Sequence, residues 1–252
     1  MKINKKLLFK IHGWIGIKLS ILFFIVCLSG TLATISHELD WLFNPAIRAI
    51  PQETLASKNT LIGNIQKVFP DGEILFISAT PEPYICNIAQ IKTGKQRYFV
   101  FANQYTGEVQ GYSKLTIQRY LRDLHYYLFI PFQVGHFTVL IFAFMLLIST
   151  LTALLFYKRW WKKLFVLKRG KGPVVLFRSL HRLVGIWSVP FTILFSITGI
   201  WYFAERTNTA NISKIANTKA PLIDTLEMDS LTFAKLHYTI DYDRVVQQAQ
   251  LA

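Results

Sequence analysis

The sequence predicts a membrane α-helical bundle with a small α+β module outside the bilayer. Three observations predict it. Three apolar runs are each long enough to cross a hydrocarbon core, which takes about 20 apolar residues. The basic residues that no acid balances collect beside those runs. A stretch between the first two runs alternates apolar and polar residues between turn-forming groups, as strands do.

The charge distribution separates this reading from its main competitor. The 252 residues are 52% hydrophobic and 17% charged, yet carry a net charge of +14. Low total charge excludes a disordered chain, and two cysteines exclude a disulfide scaffold. A basic chain can also be a nucleic-acid binder, so location decides. All 14 acidic residues lie in 38–123 and 205–244, where 14 Lys and Arg balance them. The remaining basic residues are Lys18, four in 1–12 (Lys2, Lys5, Lys6, Lys10) and nine in 158–182. Neither basic segment holds an acid, and each adjoins an apolar run. A nucleic-acid patch does not need that neighbour; a membrane protein obeying the positive-inside rule does. No nucleic-acid partner is expected.

The first run is Gly13–Ser36, interrupted only by Lys18, which can snorkel to the interface. It is too long for a signal peptide and lacks a small-residue cleavage site. The second is Val134–Tyr157 and the third Leu183–Ala204. The resulting topology has residues 1–12 inside, 13–36 spanning, 37–130 outside, 134–157 returning, 158–182 inside, 183–204 spanning and 205–252 outside. Trp160, Trp161 and Trp201 sit near span ends, where interfacial anchors belong.

Within 37–130, residues 54–69 read as an amphipathic helix with Leu55, Leu61, Ile62, Ile65 and Phe69 apolar, stopped by Pro70-Asp71-Gly72. Strands are expected at Glu73–Ala79, Tyr84–Ile91, Arg97–Ala102 and Glu108–Tyr112, giving one helix and an antiparallel sheet. Cys27 and Cys86 read as packing residues that do not pair.

A repeat runs at an offset of 169 residues: His12-x-x-x-Gly16-Ile17 recurs as His181-x-x-x-Gly185-Ile186, and Ser29-Gly30 as Thr198-Gly199. Both copies begin at the inner edge of an outward-going helix, and parallel repeats are one way of building membrane proteins. The repeat leads us to expect that Asp241–Ala252 opens a second outer module and that a complete chain adds a fourth helix.

Four residues advance about 400° on a helix, so each histidine shares a face with a glycine one turn on. Such a shelf suits a planar macrocycle, and Gly30, five turns from His12, is expected to keep the face shallow, as Gly199 does for His181. Two histidines at one depth on parallel helices are well placed to ligate a haem iron. The outer side carries His37, His125 and His136. His37 lies nearly on the His12 face if the helix is continuous, with a rise of about 37 Å between them. His136 is one turn inside the second span, where an ionisable residue is a functional candidate. Each of these histidines can instead be a polar end-marker, and His237 reads as an ordinary module residue. Zinc fits poorly, since no Cys/His cluster has ligand spacing. No GxGxxG, P-loop, HExxH or GxSxG is present, so no nicotinamide or flavin is bound through those fingerprints and any electrons would come from a separate donor.

His12-Gly-Trp-Ile-Gly16, Leu28-Ser-Gly-Thr-Leu32 and His37-Glu-Leu-Asp-Trp-Leu-Phe-Asn-Pro45 together resemble the opening of the PepSY-associated transmembrane family. Gln104-Tyr-Thr-Gly-Glu-Val-Gln-Gly111 resembles the closing strand of a PepSY module. Leu124-His125-Tyr-Tyr-Leu128 with Gly135, and Leu180-His181-Arg-Leu-Val-Gly185-Ile-Trp187 with Pro190 and Thr198-Gly199, resemble its later motifs. The resemblance implies a four-helix bacterial inner-membrane protein with two PepSY-type outer regions, of which three spans are present here. It implies b-type haem, two in a complete protein, and reduction of periplasmic ferric siderophores in iron uptake. His12 and His181 would hold the inner haem iron and His125 an outer one, with His136 a further candidate on position alone. The donor would be a quinol or a cytosolic reductase. Tyr84, Arg97, Tyr98 and Tyr105 are candidates for docking the iron complex. Two other readings share the topology: a haem-free membrane anchor presenting the module, and a siderophore permease without reductase activity.

Overall fold

The computed structural model describes residues 4–157, 159–170, 172–212 and 241–251. His237 and most of the stretch expected to form a second outer region lie outside these residues. In chain order the main elements are α1 (Lys5–Thr34), α2 (Ser36–Phe43), α3 (Lys58–Val68), β1 (Glu73–Ser78), β2 (Asn87–Thr93), β3 (Gln96–Ala102), β4 (Val109–Ser113), α4 (Ile117–Tyr127), α5 (Phe132–Phe156), α6 (Pro173–Trp187), α7 (Val189–Arg206) and α8 (Tyr242–Leu251). The chain divides into two units. A helical unit takes the chain up to Gly30 and again from Asp123. A sheet unit takes Thr31–Arg122 and the region of α8.

In the helical unit, Asn4 caps α1, its side-chain oxygen accepting from the amides of Lys6 (3.1 Å) and Leu7 (3.2 Å). Both α1 and α5 are long and apolar enough to cross a membrane. The third expected span is not one straight helix. It begins at Pro173, breaks at Ser188 and bends by 58° into α7. The break has a local cause. Pro190 has no N–H to offer Ile186 one turn back, and Ser188 turns its hydroxyl to the carbonyls of Val184 (2.9 Å) and Gly185 (3.1 Å).

Small residues let α5 and α7 approach closely. A Cβ at Gly199 would lie 2.5 Å from that of Ala143, and fully buried Ser196 donates to Thr192 O at 2.7 Å. By contrast, α1 meets α5 through large side chains, Phe9 on Phe156 (5.4 Å) and Phe23 on Phe142 (5.5 Å). Cys27 lies on the exposed side of α1 rather than in a packed interior, a correction to its sequence reading.

In the sheet unit, the four strands form an antiparallel meander in the order β1-β2-β3-β4. Successive β3 residues point to opposite faces. Val100 and Ala102 pack with Ala89 and Ile91 against Leu61 and Ile65 of α3. Phe99 and Phe101 pack with Ile85, Cys86 and Ile88 against Ile47 and Ala49. The 45–49 segment therefore covers the second face, which the sequence reading left open. The helix expected at 54–69 starts only at Lys58 because Ser57 caps it, accepting from Thr60 N at 3.4 Å. β2 starts three residues later than expected because Ile85 N turns back to Glu82 O (3.1 Å) in the proline-flanked turn.

α8 meets α3 through a reciprocal clasp of helix N-termini. Asp243 accepts from Lys58 N (2.7 Å) and Ser57 Oγ (2.6 Å). Asn59 accepts from Tyr242 N (2.9 Å) and donates to Asp241 (2.9 Å). In each helix the second residue reaches the first amide and the capping side chain of the other.

Candidate functional site

His12 lies near the basic end of α1, and its ring orientation is set by α5. Its Nδ1 is 3.0 Å from Ser149 O and 3.1 Å from Ser149 Oγ. A carbonyl only accepts, so Nδ1 is the donor, and in the neutral ring this leaves the lone pair on Nε2. Phe156 backs the ring edge-on at 5.6 Å. His181, on α6, presents its ring with the centroid 6.2 Å from that of His12 and the planes at 55°. Two imidazoles on opposite sides of one metal ion, each bonded at about 2.0–2.1 Å, place their centroids roughly 6 Å apart.

The ground beside the pair is open. Nothing lies within 4 Å of where a Cβ would stand at Gly16 or Gly185. The imidazole spacing, the fixed tautomer of His12 and the two bare glycines fit a haem. Haem iron takes axial histidines whose second nitrogen is hydrogen-bonded to a carbonyl.

The more distant glycines do not extend the shelf. Gly30 is filled by His125, whose Nδ1 would lie 2.9 Å from a Cβ there, and Gly199 is packed against Ala143. The bend between α6 and α7 also breaks the five-turn count that put His181 and Gly199 on one face.

His125 and His136 occupy the other end of the helical unit. His125 is near the C-terminus of α4, with Nδ1 2.9 Å from Val26 O. A tight connection follows, in which Leu128 and Phe129 both take left-handed φ (55° and 57°), at a cost of about 1–2 kcal/mol each. It brings Tyr127 O against the place that a Cβ at Gly135 would take, so only glycine fits there. His136 lies one residue on, with Nδ1 3.3 Å from Tyr126 O and its ring stacked on Phe132 at 5.1 Å. Arg206 lies over the same Phe132 ring at 5.4 Å. The structure pairs His12 with His181; His125 and His136 face aromatic rings rather than a second imidazole among the described residues.

His37 does not keep the place on the His12 face that a continuous helix would give it. Helical continuity fails at Ile35, so the turn count from His12 does not reach it. It belongs to the sheet unit, where its Nε2 takes a hydrogen bond from Gln118 Nε2 at 2.9 Å. One turn on, buried Asp40 caps α4, accepting from Ile117 N (2.7 Å) and Gln118 N (2.9 Å). Burial pushes the Asp40 carboxyl above the usual range, against the pull of those two amides and the nearby His37.

The four docking candidates do not form one cluster. Tyr84 stacks edge-on against Trp41 at 5.9 Å, and Tyr105 donates to Pro83 O, both on one side of the sheet. Tyr98 packs on the other side with Phe69 and Tyr112, and Arg97 is exposed. Sequence reasoning missed Ser149 and Asp40. Ser149 has the hydroxyls of Thr150 and Thr152 beside it in the span, and Asp40 follows Glu38 by two residues, so nothing in the sequence singled either out.

Comparison with known proteins agrees with this architecture. Uncharacterized protein PA4219 of Pseudomonas aeruginosa is 32% identical over 101 residues, 40% of this chain and 25% of that protein, so the match spans about a quarter of that relative's length. The family model described as the PepSY-associated TM region matches residues 9–241. With spans of membrane length in one unit and a four-stranded module in the other, the chain is a membrane protein that belongs to the PepSY-associated TM region family.

Proposed function

We propose that the chain is a b-type haem protein of the bacterial inner membrane that delivers electrons to periplasmic ferric siderophores. The observation that carries this reading is the His12–His181 pair, 6.2 Å between ring centroids with open ground at Gly16 and Gly185. Bound between these rings, a haem would supply one-electron transfer. The chain's own part is to hold His12 through Ser149, to leave the macrocycle room, and to pack the spans around it. At the far end, His125 and His136 each set Nδ1 against a backbone carbonyl, so Nε2 of the neutral ring would be the ligating nitrogen. They are the candidates for a second haem iron.

The orientation follows from charge: the acid-free segments 1–12 and 158–182 belong on the cytoplasmic side. The sheet unit then faces the periplasm, where the ferric chelate is the substrate. Reduction to ferrous iron weakens hard oxygen ligation and frees the metal. A quinol or a cytosolic reductase serves as donor.

The test is the reduced-minus-oxidised spectrum of the full-length protein made with ample haem. Low-spin haem bands that shrink on His12→Ala or His181→Ala support the proposal. A colourless protein overturns it and leaves a haem-free membrane-anchored module.

A further inference from the structure

The threonines of α5 do not all bond alike. Thr138 and Thr150 each turn the hydroxyl to the carbonyl four residues back, Val134 O and Leu146 O, both at 2.9 Å. Thr152 reaches two carbonyls, Ile148 O at 2.8 Å and Ser149 O at 2.9 Å. The second of these is the carbonyl that accepts from His12 Nδ1 at 3.0 Å. Two side chains from two helices therefore meet at Ser149 O. Thr152 is buried, so water does not compete for its hydroxyl.

The shared acceptor has a consequence for the imidazole. A ligating histidine that donates its other ring proton to a carbonyl becomes a more basic ligand, because the ring gains negative charge as that proton is drawn off. A more basic axial ligand favours ferric iron and lowers the reduction potential, and hydrogen bonding behind the ligand is one of a protein's levers on a haem. A carbonyl oxygen that a second donor already engages has less lone-pair density to offer. The Thr152 hydroxyl thus opposes the pull of Ser149 O on the His12 proton.

We propose that Thr152 is a positioning residue that keeps the potential of the inner haem up by sharing the acceptor of His12. The inference rests on the haem reading above and adds the group that sets how readily a haem at this pair takes an electron.

Thr152→Val keeps the outline of the side chain and removes the hydroxyl, whereas Thr152→Ser keeps the hydroxyl. Each is compared with the wild type as full-length protein in detergent by two measurements. In a redox titration the inner haem is the component that His12→Ala loses. Its ferrous-to-ferric ratio at a fixed potential is expected to fall about three-fold in Thr152→Val, the lower end of a neutral hydrogen bond's net worth. That is about 30 mV downward, at about 59 mV per ten-fold for one electron. Thr152→Ser is expected to stay at the wild-type value, and Thr152→Ala, should the valine variant not fold, to shift as valine does. In haem-free protein carrying isotope-labelled histidine, the His12 Nδ1 proton is expected to resonate further downfield in Thr152→Val than in the wild type or Thr152→Ser. A potential that is unchanged or raised without the hydroxyl overturns the proposal, as does a proton resonance that does not move. An equal shift in Thr152→Ser assigns the effect to packing and overturns it too. A colourless wild type removes the haem reading and this inference with it, a result distinct from a coloured protein whose potential stays put.

Discussion

The imidazole of His125 fills the space that a side chain at Gly30 would need: a Cβ there would lie 2.8 Å from its Cε1 and 2.9 Å from its Nδ1. The same ring bonds Val26 O one turn earlier on α1. A glycine and a histidine 95 residues apart in sequence are therefore one packing unit, whereas a Cβ at Gly16 on the same helix would meet nothing within 4 Å.

These two glycines give opposite expectations. Gly30→Ala forces His125 out of its place, and overpacking of this kind costs about 1–3 kcal/mol. Its thermal unfolding midpoint in detergent should fall. Gly16→Ala should leave the midpoint of the haem-free protein unchanged or slightly raised, since alanine favours helix. It should lower haem uptake, because the methyl group intrudes on the space beside His12. A Gly16→Ala protein that takes up haem like the wild type would remove the shelf from the proposal.

Asp40→Ala leaves the amides of Ile117 and Gln118 without their acceptor, and loss of such a cap costs about 0.5–2 kcal/mol. The pH dependence has a defined sign. Burial raises the folded carboxyl above its ordinary 3.8, so the folded chain takes up the proton at higher pH than the unfolded chain. This contribution to stability is full below 3.8 and is lost as pH rises through the raised folded value. Asp40→Asn should flatten that descent, which stability measured across the acid range will show.

The clasp between α3 and α8 is open to a complementary exchange. Asn59→Asp sets a carboxylate against Asp241 and should release α8, read as faster hydrogen exchange at the Lys58 and Tyr242 amides. Adding Asp241→Ser restores a donor and should restore protection. Hydrogen bonds from Asn59 to Asp241, and from Ser57 to Asp243, hold both carboxyls below the usual range. Their contribution is therefore present above the ordinary 3.8 and is lost as pH falls through the depressed values. Equal exchange in both variants would show that the clasp does not hold the helix.

Cys86 is fully buried among Ile47, Ile85 and Phe101, and burial pushes its thiol up to about 12. Thiolate is the reactive form, so in a Cys27→Ala background the folded protein should resist maleimide near neutral pH. Labelling should rise only as the sheet unit unfolds. Prompt labelling under native conditions would contradict this core.

The apolar runs, the alternating strands and the His–Gly repeat were legible because each is a local pattern: span length, period two and spacing along one helix. The strand positions came out within a few residues for the same reason. The reading failed where it counted helical turns across a junction. Ile35 interrupts the count to His37, and the 58° bend at Ser188 interrupts the count from His181 to Gly199. A turn count is reliable only while the hydrogen-bond ladder is unbroken, and a proline or a serine hydroxyl can break it within one residue.

Composition, charge placement and periodicity settled that this is a membrane chain with a small sheet module, because lipid and water sort residues by type wherever the chain runs. Folding alone could decide which polar groups meet. Ser149 at His12, Gly30 under His125 and Asp40 at the start of α4 are encounters between residues 77 or more positions apart. No local pattern encodes such pairs, since they depend on how helices approach in three dimensions, and the chemistry open to the imidazoles is set there.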